Sequence, residues 1–367
     1  MKLKFYLLLI LSTFFFELVD AQETKDWTDD FSASGYADIF YTYNFNQPES
    51  GLNGGRIFDT KHNTFSLGLI QAQLAYNYDK LEVMADLTFG PNANLGNFGN
   101  QGTAVLLKQA YVAYAFTDKL KLTVGQFGTH IGYEVIEANA NFNYSLSYLF
   151  GNGPFYHTGA KLDFAASEHI EFMVGLLNGW DALQDYNDKK SIGFQTHIAP
   201  SEQVDIYLNW IGGDEYDGVS NFGTHKGSFV NLYDLTSSFT ISDPFHVGIN
   251  AAYGTFKTGA SERTDDDPWS EDADWYGVAL YADYAISDIF KLGIRGEHFN
   301  DKKGVRYFGP VVVNSLTLTG HIGLSNEHFM VKPEIRFDQS QDPFFEKKDE
   351  GLVHSQATFG VAFIGSF

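Results

Sequence analysis

The last fourteen residues, His354 to Phe367, set Gly365, Phe363, Val361, Phe359 and Ala357 on one face and Ser366, Ala362, Gly360, Thr358, Gln356 and His354 on the other, and end on an aromatic. Strict period-two alternation marks a strand with different surroundings on its two sides. The same pattern predicts sixteen strands, at about 32–45, 64–78, 80–90, 104–116, 119–127, 157–165, 169–178, 190–199, 203–212, 227–240, 245–257, 274–286, 289–299, 312–324, 328–338 and 353–367.

The connections give the topology. Seven are tight and alike: NYDK before Leu81, TDK before Leu120, ASEH before Ile170, PSEQ before Val204, SDP before Phe245, SDI before Phe290 and SNEH before Phe329. The eight between them are long and polar. Short-long alternation pairs each strand antiparallel with its sequence neighbour and puts all the tight turns on one side. An open sheet this wide would leave two unpaired edges, which closure removes. The predicted fold is therefore all-β, a transmembrane up-and-down antiparallel β-barrel of about 16 strands, with short periplasmic turns and long extracellular loops.

The two faces support a wall between lipid and water. Leu292, Ile294 and Gly296 oppose Lys291, Arg295 and Glu297, while Phe329, Val331, Ile335 and Phe337 oppose Lys332, Glu334, Arg336 and Asp338. Val204, Ile206 and Leu208 oppose Asp205, and Leu81, Val83, Ala85 and Leu87 oppose Glu82 and Asp86. A dry core does not hold so many unpaired charges, but a wet lumen does. The inferred pore lining carries Lys121, Lys161, Lys291, Arg295, Lys332 and Arg336 against Asp38, Glu82, Asp86, Asp163, Glu171, Asp205, Asp234, Asp283, Glu297, Glu334 and Asp338. Acids outnumber bases, which predicts a weak cation preference. Tyr76, Tyr78, Tyr114, Phe116, Phe164, Phe172, Tyr284, Phe290, Phe329 and Phe367 flank the short turns or the chain end, where one aromatic girdle belongs. Pro333 lacks the N–H a central ladder position needs, so a bulge or register shift is expected there.

The third long connection, residues 128–156, is too apolar to lie free on a surface. Folded inward, it would bury its aromatic residues and leave Tyr133, Glu134, Glu137, Asn139, Asn141 and Asn143 at a constriction. A surface loop packed on its neighbours, or a subunit contact, is the alternative.

Composition narrows the function. The 36 Gly, 34 Phe and 21 Tyr against nine Pro suit pleated surfaces and tight turns. Lys2 and Lys4 precede an apolar run from Phe5 to Phe16, so residues 1–21 read as a cleaved signal peptide, leaving 22–367 as one outer-membrane barrel domain. The net charge of −22 argues against nucleic acid as a partner. The acidic run from Glu262 to Asp274 lacks the spacing of a calcium loop and reads as solvated. No nucleophile motif is present and the eleven histidines are scattered, so neither an enzyme nor a metal or cofactor site is expected. A channel specific for a sugar or peptide, and a secreted soluble carbohydrate-binding β protein, are the rival readings.

Four stretches carry a family resemblance: SGYADIFYTYNFN in the first strand, LLKQAYVAYAF, GYEVIEANANFNYS with the following PFYHTG, and NGWDALQDYNDKKS after the seventh strand. In order and spacing the chain resembles the OmpL-like β-barrel porins of the second β-barrel-porin group, over nearly its whole length. The resemblance implies an outer-membrane channel of a Gram-negative bacterium, passing small hydrophilic solutes and ions by passive diffusion. Outer-membrane lipid is the expected surrounding. Trimers are common among barrels of this size, so a homotrimer is the expected assembly, though no subunit surface is legible.

Overall fold

Sixteen strands close into a single antiparallel barrel in the computed structural model, which describes residues 27–367 apart from 186, 216–217, 221–222, 226–228, 258–261, 264–271 and 308. The expected leader, and most of the acidic run, lie outside the described residues. In chain order the wall comprises β1 (Phe31–Asn44), β2 (Thr64–Tyr78), β3 (Leu81–Phe89), β4 (Leu107–Thr117), β5 (Leu120–Gly128), β6 (Tyr156–Ala165), β7 (Ile170–Leu177) and β8 (Ser191–Ser201). It continues with β9 (Val204–Asp214), β10 (Phe229–Ser242), β11 (Phe245–Lys257), β12 (Ala273–Ser287), β13 (Phe290–Asp301), β14 (Val311–Leu324), β15 (Phe329–Ser340) and β16 (Ser355–Ser366). Each strand pairs with its neighbour, and β16 closes on β1 from Tyr36↔Ser366 to Asn44↔Thr358. Among the described residues no helix is long and apolar enough to cross a membrane; the crossing is made by strands, whose backbone groups are satisfied by the closed ladder.

Burial is inverted relative to a soluble domain. Outward-facing Leu280, Leu316 and Ile335 are 55%, 52% and 54% exposed, whereas inward-facing Arg295, Lys332 and Asp338 are fully enclosed. A continuous belt of exposed aliphatic side chains of this kind is stable only in hydrocarbon. The aromatics at the short turns project outward, with Tyr76 stacked on Tyr78 and Tyr114 edge-on to Phe116. A second set marks the opposite rim: Trp210, Tyr233, Tyr253 and Tyr276 are register partners across β9 to β12.

Two irregularities aim side chains. A bulge between Ala37 and Ile39 points Asp38 inward, where it accepts the Leu69 N–H at 2.8 Å. Pro333 does not shift the register as expected. The β14–β15 ladder resumes in the same register on either side, with Gly320, His321, Lys332 and Pro333 skipped, and the pairing to β16 is unbroken at Pro333↔Val361. The missing N–H affects only the β14 side, and Gly320 leaves room there for the proline ring.

Candidate functional site: the bore and the segment that crosses it

The segment between β5 and β6 is bonded to inward-facing side chains around most of the wall. Near its start, His130 bonds the Trp210 carbonyl at 3.1 Å, and Gln195 donates to the His130 carbonyl at 3.2 Å. The Gly132 N–H donates to Asp234, which is also held by Asn209 and Asn250. Farther on, Glu137 pairs with Lys108 and accepts from Gln71, and the Ala138 N–H donates to the Tyr36 hydroxyl. The return path follows β13 to β15. Lys332 donates to the carbonyls of Ala138 and Asn141, and Asn143 donates to Thr319 at 2.7 Å. Glu334 accepts from the backbone of Tyr144 and Ser145, and Glu297 from that of Tyr148 and Leu149. Arg295 pairs with Glu134 at 2.5 Å and donates to the Ser145 carbonyl, and Arg336 donates to the Leu146 carbonyl at 2.7 Å.

This arrangement has a physical cause. An irregular backbone inside a barrel has no ladder, so its N–H and C=O groups need partners. Carboxylates on the wall receive the N–H groups and cations receive the carbonyls, in charge-assisted bonds of roughly 1.5–3 kcal/mol each. A second network extends from the first long loop: Arg56 bonds Asp59, Asp338 and Thr358, while Arg336 bonds Asp338 at 2.8 Å.

Beside that network, the long-loop half of the bore holds an apolar cluster. Inward-facing Phe127, Leu177, Ile211, Leu232, Phe256, Trp275, Phe299 and Val313 pack with Ile131, Tyr148 and Leu149 of the crossing segment. Phe58, Leu146, Phe150, Phe155 and Tyr156 form a smaller cluster beside them. From the seventh-to-eighth strand loop, the Asp181 carboxylate accepts the N–H groups of Phe155 at 2.6 Å and Tyr156 at 3.1 Å. Burial raises its pKa to about 7. Burial has the opposite effect on His130, lowering it to about 4.

The sequence-predicted residues therefore separate into two groups. Arg295, Glu297, Lys332, Glu334, Arg336, Asp338 and Asp86 are enclosed instead of facing open water, because the crossing segment, the first long loop or neighbouring amides use their polar atoms. Glu82, Lys121, Lys161, Asp163, Asp205 and Lys291 keep solvent access near the short turns. Of the expected constriction, Tyr133, Glu134, Asn139, Asn141 and Asn143 border one cavity of about 630 Å³, although Glu134, Asn141 and Asn143 are themselves buried; Glu137 lies elsewhere, against Lys108. That cavity reaches the short-turn rim at Asp243, Ala285 and Lys291. A second, of about 260 Å³, adjoins it along β8 to β10 and shares Tyr133 and Ser238.

Sequence reasoning missed Arg56, Asp59, Lys108 and Asp181. Arg56 carried a signal: it is the first of only five arginines, set beside Gly54 and Gly55 in the first long loop. Three of those five arginines, at positions 56, 295 and 336, are buried in the bore.

A family model described as "Putative beta-barrel porin-2, OmpL-like" matches residues 30–367. None of the curated proteins matches the chain in sequence. Among solved structures, the fold is similar to an anion-selective porin from Comamonas acidovorans (TM-score 0.59, 11% identity, 92% of this chain and 99% of that one). It is also similar to the trimer form of OmpT, an outer membrane protein of Vibrio cholerae (TM-score 0.58, 11% identity, 92% and 99%). The outer membrane channel DcaP of Acinetobacter baumannii matches with TM-score 0.58 at 10% identity, over 92% and 97%.

Proposed function

The chain belongs to this OmpL-like β-barrel porin family and is an outer-membrane porin, and from that premise we propose that it passes small hydrophilic solutes and ions by passive diffusion. The observation that carries the reading is the inverted wall, with lipid-facing aliphatic residues outside and polar groups inside a closed ring of sixteen strands. Segment 128–156 acts as the constriction, and solutes use the part of the bore it leaves free, bordered by Tyr133, Asn139, Asn141 and the charged residues near the short turns. Residues 1–21 are a leader removed on export, and the assembly is a homotrimer. Binding and release of solute involve no covalent step, so the protein is a channel and not an enzyme.

Purified, folded protein in a planar bilayer tests this directly. Discrete conductance steps, together with slower or faster migration of unboiled protein on a gel, are expected. Folded protein that inserts and carries no current would defeat the porin reading.

A further inference from the structure

The crossing segment presents two aromatic rings to the 630 Å³ cavity, and both are seated on wall glycines. Tyr133 packs on Tyr281 with ring centroids 4.4 Å apart and planes 23° from parallel, and a Cβ at Gly248 would collide with its phenol. Phe142 lies against His321 at 5.9 Å, and a Cβ at Gly293 would collide with its ring. Glycine is unfavourable inside a strand. Two of them here let rings lie close on the wall backbone, with neither residue in the left-handed region. Tyr133 stays 36% exposed and borders the smaller cavity as well.

Polar groups around these rings have unused capacity. His321 is 7% exposed, and its Nε2 has no hydrogen-bond partner; Glu327 stands 3.8 Å away, beyond bonding reach. The Asn139 side-chain oxygen is buried and equally unpartnered. A buried polar atom without a partner is costly and marks a place where another molecule completes the bonding. The nearby charged side chains, in contrast, already have partners: Asp283 is hydrogen-bonded to His246 at 3.2 Å, Lys291 pairs with Glu327 at 2.9 Å and Glu134 with Arg295. Asp243, out at the rim, has no cation against it among the described residues. The rings and the two unpartnered atoms therefore offer stacking surface and neutral hydrogen bonds, with the acidic groups lying toward the rim.

We infer that the cavity is a binding subsite for a neutral polyhydroxylated solute, of the saccharide class, which stacks on Tyr133 and completes the bonding of Asn139 and His321. The inference deepens the porin reading by naming a solute class, and relies on it only for the route by which solute arrives.

Titration calorimetry on the folded barrel in detergent, using maltotriose, cellotriose and chitotriose with a polyethylene glycol of matched size as control, provides the test. At least one trisaccharide should bind saturably and the polymer should not. Tyr133→Ala should weaken binding at least tenfold. Gly248→Ala, which removes no hydrogen-bonding group, should do the same by lifting the phenol, and gel migration without boiling verifies that each variant is folded. Lipid-facing Leu280→Ala should bind as the parent does. Absence of saturable heat with all three sugars, or parental affinity in Tyr133→Ala, overturns the subsite. Conductance without sugar is scored separately, so a conducting barrel that binds no sugar defeats the subsite alone, and a binding barrel that never conducts defeats the porin reading alone.

Discussion

At the scale of single residues, the buried Glu134–Arg295 pair and the Asp181 carboxylate make distinct predictions. Both members of the pair are enclosed, and removing one leaves the other charged and unpaired at a cost of about 3–5 kcal/mol. Glu134→Gln should therefore loosen segment 128–156, seen as faster proteolysis within it and noisier open-channel current; an unchanged digestion pattern would show that the pair does not anchor it. Asp181 titrates in the accessible range. Its pKa is raised from the ordinary 3.8 to about 7 because its site excludes water. The folded state thus holds the proton more tightly than the unfolded chain. That contribution is fully present below about pH 4 and is lost as pH rises through about 7. Stability of the folded barrel should accordingly fall between about pH 4 and pH 7, measured as a falling urea midpoint, while the ionised carboxylate keeps accepting the Phe155 and Tyr156 N–H groups. Asp181→Asn keeps an acceptor oxygen and should flatten that dependence.

At the scale of elements, most of the wall could be read from the chain. The sixteen strands lie within a few residues of the alternating stretches, because each strand separates lipid from a polar interior, and its period records that contrast. The tight turns were equally legible from their Asp, Asn and Ser content; Asp79, Ser325 and Asn326 adopt positive φ there. The fate of the inward charges was not legible. Alternation shows that Glu297 and Asp338 point inward, but not that a loop about 150 residues away in sequence, or Arg56 almost 300 away, takes up their lone pairs. Pro333 shows the same limit, since its accommodation depends on Gly320 of a neighbouring strand. The facing assignment itself is open to test. Leu280→Arg places a cation in hydrocarbon and should destabilise the barrel by about 2–4 kcal/mol. Ser238→Arg points into the cavities and should cost far less, so equal losses in the two urea midpoints would contradict the assignment.

At the scale of the whole molecule, ion preference follows from which charges remain in contact with water. Summing every inward-facing group overstates the count, because the anchors of the crossing segment are buried, with their polar atoms bonded to that segment and not open to passing ions. The groups left accessible cluster at the short-turn end: Glu82, Asp163, Glu171, Asp205, Asp283 and Glu327 against Lys121, Lys161 and Lys291. An acidic mouth concentrates cations within about a Debye length, roughly 10 Å at 0.1 M salt and 3 Å at 1 M. Reversal potentials in a potassium chloride gradient should accordingly favour potassium at low salt, and the preference should shrink as both baths approach molar concentration. Asp205 is 44% exposed at its side chain, whereas Asp338 is sealed between Arg56 and Arg336. Asp205→Asn should therefore lower the preference and leave stability nearly unchanged, while Asp338→Asn should destabilise the barrel and leave the preference nearly as it was. The opposite pairing, with selectivity following Asp338, would mean that ions pass through the network that holds the crossing segment, and that the passage lies along β13 to β15 and not beside the short turns.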